Sequence, residues 1–138
     1  WTALSNTIDS MNPDGNTNVS IGLQWAWHSL TSGDPFTQAA APAYDLSKYI
    51  ILMTDGENTE NRWTRSSSSI DARTAATCAA VKAAGIKIYT IRVIDGDATL
   101  LRNCASDPSM YFDVQNATQL TSVFNSIGAT LARLHLSQ

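Results

Sequence analysis

Two short segments hold the residues best suited to chemistry. Thr54-Asp55-Gly56 follows the continuously apolar run from Tyr49 to Met53, and in open α/β sheets ligands bind beyond the carboxyl ends of the strands. Gly56 allows a sharp turn, which leaves the Asp55 carboxylate at the rim of the sheet. Gly15-Asn16-Thr17 stands immediately before a helical pattern, so the Thr17 hydroxyl either caps that helix or offers an oxygen to an ion. A carboxylate and a hydroxyl suit a hard cation, because Mg²⁺ takes oxygen ligands in octahedral geometry and keeps several waters. Two protein donors hold such an ion poorly against water. Thr17 and Asp55 are therefore candidate metal ligands, with no ion held stably by these two alone.

Other constellations are weaker. Asn12, Asp14, Asn16 and Asn18 alternate like a calcium loop, but Thr17 stands where that loop needs Gly and Leu23 where it needs Glu, so an EF-hand is excluded. Glu57, Asn58 and Trp63 lie in a polar loop that either meets a partner's surface or is simply solvated. His28 and His135 are isolated, with no nearby Ser or Cys and orienting acid. The serine run from Ser66 to Ser69 has no associated base, so no hydrolytic triad is supported and a non-enzymatic role is expected. Trp25 and Trp27 are expected in the core and at an interface.

The elements that must position these groups follow from periodicity. After residue 40, short β-rich runs alternate with longer helical ones, the pattern of βαβ units in a parallel sheet. Tyr49 to Met53 reads as a central strand covered on both faces; Ile86 to Ile94 is more mixed and Met110 to Val114 short, so these two read as progressively closer to an edge. Val19, Leu23, Ala26 and Leu30 make one helical stripe, and Leu120, Val123, Phe124, Ile127, Leu131 and Leu134 another. Ala72, Ala76, Ala79 and Ala83 predict a small-residue face against the sheet. Gly85 is placed as a left-handed C-cap, Asp97 as the cap of a short helix, and Asn116 with Gln119 as a capping box for the last helix.

The chain has two cysteines, Cys78 and Cys104. Successive right-handed crossovers that step in one direction put their helices on the same face, and counting rise per residue places both cysteines at similar heights. A disulfide is therefore within reach, closing a loop of roughly 25 residues and contributing about 3 kcal/mol. It would imply an oxidising compartment. Two buried free thiols are the alternative.

Composition bounds the partners. At 138 residues the chain is one domain, 1–138. A net charge of -3 with scattered basic residues argues against a nucleic-acid partner. Charged residues are only 15% of the chain, and Ser, Thr and Asn supply the polarity instead; this bias suits an extracytoplasmic protein. No apolar run approaches the roughly 20 residues of a membrane span.

On these residues the chain resembles the von Willebrand factor A (VWA) family. Ile51-Leu52-Met53-Thr54-Asp55-Gly56 looks like the family's strand-4 motif, and Gly15-Asn16-Thr17 like its threonine loop. The resemblance implies a Rossmann-like, doubly wound, mostly parallel sheet with flanking helices, running from the threonine loop through the C-terminal helix and lacking the family's first strands. In that family the two loops join an Asp-x-Ser-x-Ser motif to form the metal-ion-dependent adhesion site (MIDAS). That motif is absent from this sequence. The resemblance thus implies Mg²⁺ or another divalent cation in a full-length domain and a partial site here.

Leu101-Arg102-Asn103-Cys104-Ala105-Ser106, with Tyr111-Phe112 and the ending Leu134-His135-Leu136-Ser137-Gln138, resembles VWA regions of bacterial TadG-like (Tad/Flp) pilus assembly proteins. This implies a cell-envelope protein, anchored in the bacterial membrane and facing the periplasm or surface, that binds a pilus or envelope component. A structural envelope scaffold without a functional ion is the alternative. With the first strands missing, Tyr49 to Met53 would present an unpaired apolar edge, and such edges recruit other strands. A homodimer through that edge is expected.

Overall fold

The computed structural model describes residues 1–12 and 14–136. Ser137 and Gln138, which close the tail signature, lie outside the described residues, as do the side chains of Leu134, His135 and Leu136. The elements run α1 (Thr2–Asp9), α2 (Val19–Leu30), β1 (Tyr49–Thr54), α3 (Ser67–Ala83), β2 (Lys87–Val93), α4 (Ala98–Cys104), β3 (Tyr111–Val114) and α5 (Leu120–Leu136). Both strand pairings are parallel, in the order β1-β2-β3, with Tyr49 opposite Lys87 and Thr90 opposite Tyr111. This is the α/β architecture expected from the alternation of apolar runs.

Local chemistry sets the helix ends. Asn18 starts α2 by accepting a hydrogen bond from the Ile21 amide at 3.4 Å, and Asp97 starts α4 by accepting from Thr99 and Leu100 at 2.8 and 2.9 Å. At the end of α3, Gly85 has φ of 77°. Its amide donates to Lys82 and that of Ile86 to Val81, the paired bonds of a Schellman stop. Before α5, the Gln119 side-chain oxygen accepts from the Gln115 amide at 2.9 Å, one residue earlier than the box predicted at Asn116.

The two faces of the sheet bury different sets. Ile50, Leu52 and Ile88 pack with Leu23 of α2, Cys78 and Val81 of α3, and Leu101 and Cys104 of α4. On the other face Tyr89, Ile91, Val93 and Val114 meet Ile127, Leu120, Val123 and Leu131 of α5. Cys78 and Cys104 form a disulfide with Cα atoms 5.3 Å apart, and the Lys82 ammonium donates beside it to the carbonyls of Asn103 and Ala105 at 2.8 and 3.3 Å. The same-face placement of α3 and α4 is what brings the two cysteines together.

Three expectations change. Tyr49 to Met53 is not covered on both faces: Ile50 and Leu52 are buried, but Ile51 and Met53 on the opposite face are 40% and 50% exposed, and among the described residues the strand stands at the unpaired edge expected from the resemblance. The covered, central strand is β2, whose mixed appearance came from Tyr89 and Thr90. Both are buried, and the Thr90 hydroxyl is satisfied by the Leu101 carbonyl at 2.9 Å. On α3 the alanines Ala72, Ala76, Ala79 and Ala83 face outward. Ile70, Thr74, Cys78 and Val81 face the core instead, because that stripe, about 200° around the helix, offers more apolar surface to bury. Trp25 is exposed, edge-on to Phe36 at 5.7 Å, and only Trp27 joins the core. Helix α1 was not signalled by any reading of the sequence, and none of its residues is buried.

Candidate metal centre

Parallel strands deliver their following loops to one end of the sheet. The loop after β1 carries Asp55, which is exposed. The Thr54 hydroxyl closes the turn beneath it, donating to the Gly56 carbonyl at 3.0 Å and accepting from the Gly56 amide at 3.3 Å. Asn18, not Thr17, caps α2, so the Thr17 hydroxyl is free of the capping role the sequence left open. Thr17 Oγ1 lies 3.8 Å from where a Cβ on Gly56 would stand. The fold therefore brings together the two segments singled out from the sequence.

Thr17 is held from the loop that follows Asp55. Its amide donates to the Thr59 hydroxyl at 2.9 Å, and its carbonyl accepts from the Thr59 amide at 3.0 Å. The Asn16 side chain donates to Glu60 Oε2 at 3.0 Å, and Arg65 reaches the same oxygen at 3.2 Å. Asn58 does not face a partner, as its placement with Glu57 and Trp63 had suggested. It is 3% exposed. Its Oδ1 accepts from the Val19 amide at 2.7 Å, and its Nδ2 donates to Asp71 at 2.7 Å and Thr74 at 3.3 Å. An amide so fully used joins the start of α2 to α3. Glu57 and Trp63 are on the surface, with the Arg73 guanidinium 5.4 Å from the indole centroid.

The loop after β2 braces the turn from the other side. A Cβ on Gly96 would stand 3.1 Å from the Gly56 carbonyl oxygen, and Gly96 has φ of 111°, so contact and conformation both require glycine. Ile94 has φ of 65°, and the Asp95 amide donates back to Val93 at 2.6 Å. A β-branched residue is strained there. Arg92 secures the loop, donating to the Gly96 carbonyl at 2.8 Å and to Asp113 at 3.0 Å. Sequence reasoning missed Gly96, Thr59 and Arg92. An Asp-Gly pair just after a strand, repeated at Asp95-Gly96, was the one signal available.

Beside Asp55 lies a cleft of about 260 Å³ lined by Met53, Thr54, Val93 and Leu120. The site thus offers one accessible carboxylate and one hydroxyl. These donors fit a hard divalent cation in kind, but they are few in number, and among the described residues no three His, Cys, Asp or Glu side chains cluster as a metal site.

The fold and this rim define a parallel α/β domain with Thr17 beside the Asp55-Gly56 turn at the carboxyl end of the sheet. The von Willebrand factor type A domain model matches residues 2–126, and the chain belongs to that family. Solved structures similar to it include two kinds. One is proximal thread matrix protein 1 from the mussel byssus, with a zinc-occupied MIDAS motif: 19% identity, TM-score 0.60, covering 99% of this chain and 28% of that one. The other is the pilus adhesin SpaC from Lactobacillus rhamnosus GG: 16% identity, TM-score 0.67, covering 94% of this chain and 20% of that one. The chain thus spans less than a third of these solved structures, and at these identities the likeness concerns the fold. No curated protein matches the chain.

Proposed function

We propose that this domain is a non-enzymatic, adhesion-type protein-binding module whose MIDAS is supplied in part by Thr17 and Asp55. The observation that carries the reading is the approach of Thr17 Oγ1 to the Asp55-Gly56 turn. In a chain that also supplies an Asp-x-Ser-x-Ser motif, Mg²⁺ or another divalent cation would be held there and presented to an acidic group on a protein partner. Glu57 and Trp63, exposed on the neighbouring loop, are placed to contact that partner. The tail resemblance favours a TadG-like pilus assembly protein of the bacterial envelope, membrane-anchored elsewhere in its chain, with a pilus or envelope component as partner. The disulfide fits an oxidising, extracytoplasmic location. Among the described residues no helix is long and apolar enough to cross a membrane.

The unpaired edge of β1 among the described residues, beside an open face that exposes Ile51 and Met53, favours pairing with a second copy. The scaffold alternative, the same fold with no functional ion, draws on the small number of donors at the rim. Calorimetric titration with Mg²⁺ separates the two readings. A longer natural chain carrying the serine motif is expected to bind, and Asp55→Ala to abolish binding. Equal binding by the mutant would overturn the metal-site reading, and absence of binding by both proteins would leave the scaffold.

A further inference from the structure

At the opposite pole from Asp55, where β1 and β2 begin, lies a cleft of about 340 Å³ lined by Trp27, Leu30, Pro42, Leu46, Lys48 and Ile86 among others. Most of its wall is hydrocarbon and indole. Lys48 is half-buried in it. The ammonium donates to the Leu30 carbonyl at 2.6 Å and to the Ala40 carbonyl at 2.5 Å. Leu30 ends α2, so its carbonyl is one of the acceptors a helix leaves unpaired, and Lys48 thereby ties the end of the helix to the 31–47 connection.

Those acceptors are neutral. The ion pairs among the described residues, Arg65 with Glu60 and Arg92 with Asp113, do not include Lys48. An ammonium has three donors, two of which are used. A partly desolvated cation without a carboxylate is an unbalanced charge, and such charges favour a counter-ion. The volume is at the small end of the roughly 300–1,000 Å³ that ligand clefts span, enough for one aromatic ring or a short aliphatic chain.

We propose that this cleft is a binding site for a small free monocarboxylate with an aryl or alkyl body. The carboxylate pairs with Lys48, and the body packs on Trp27, Leu30, Pro42, Leu46 and Ile86. The site is separate from the metal rim, so its failure leaves the adhesion reading untouched.

The test is an NMR titration of the whole chain with 4-phenylbutyrate and with its uncharged amide. Saturable shifts are expected at the Trp27 indole and the Lys48 and Gly85 amides, with the acid binding about tenfold or more tighter than the amide. Lys48→Met should erase that preference. Ala84→Phe, which fills the cleft from an exposed position and keeps Lys48, should abolish binding of both probes, and it carries the test if Lys48→Met does not fold. Three results would each overturn the proposal: no saturable shifts for the acid, equal affinity for acid and amide, or unaltered acid binding by Ala84→Phe.

Discussion

The centre of the sheet and its β1 edge are built to different standards. Around β2 both faces are covered: Ile88 and Ile91 are fully buried, and the Cys78–Cys104 disulfide holds α3 to α4 over one of them. Strand β1 is buried on one face, while on the other only Tyr49 packs and Ile51 and Met53 turn outward, with no strand on its free edge among the described residues. Both strands are rich in apolar residues, so hydrophobicity alone does not distinguish them; what differs is the neighbours each is given. Yet β1 leads into Asp55, so the loop with the carboxylate proposed for the metal site rises from the less supported strand. Its geometry is secured from outside, through the bonds that Thr59 and Asn58 accept from Thr17 and Val19 on one side and by Gly96 on the other.

Matched truncations give the largest contrast. Ile91→Ala, in the closed region, should cost about 2–5 kcal/mol, the range for deleting a buried aliphatic side chain. Ile51→Ala, on the open face, should cost much less. Urea unfolding of the two variants checks this, and equal losses would mean that something covers β1. Replacing both cysteines with serine should lower stability by about 3 kcal/mol, and wild-type protein with reductant should unfold at a midpoint close to that of the double variant.

Gly96→Ala comes next, at about 1–3 kcal/mol, since the methyl meets the Gly56 carbonyl and the backbone has positive φ. Its signature is local: amide exchange should rise at Thr54 to Gly56 more than at Ile88 to Ile91. The smallest stability effect is expected for Met53→Lys, on the open face. That variant should instead change association. If β1 pairs with a second copy, sedimentation should show self-association of the wild type that the lysine removes; a wild type that stays monomeric at micromolar concentration would refute the pairing.

Much of this contrast was legible in advance where the signal is local. Val19, Leu23, Ala26 and Leu30 share a helix face whatever lies opposite, Gly85 stops α3 through its own backbone freedom, and Asp97 caps the turn that follows it. The cysteine pair was legible because crossover handedness fixes which helices are neighbours. The misread features depend on tertiary context. Alanine spacing on α3 marks a face without saying whether it turns inward, and the bulkier Ile70, Cys78 and Val81 decided it. An unbroken apolar run marks burial without saying how many neighbours are present, so β1 looked central. Of the rim, Thr17 and Asp55 were found from their positions beside a helix and a strand. Thr59 and Gly96 were not, because each acts through contact with a segment distant in sequence. Asn58 was misassigned to the surface for the same reason.

If Thr17 and Asp55 form one cation-binding rim, paramagnetic relaxation by Mn²⁺ should locate it, because even a weakly and transiently bound ion broadens nearby resonances. With this chain, broadening should centre on Thr17 and on Asp55-Gly56, weaken at Asp95-Gly96, and disappear in Asp55→Ala. Broadening centred on another carboxylate, or unchanged in Asp55→Ala, would mean that Thr17 and Asp55 do not form such a rim.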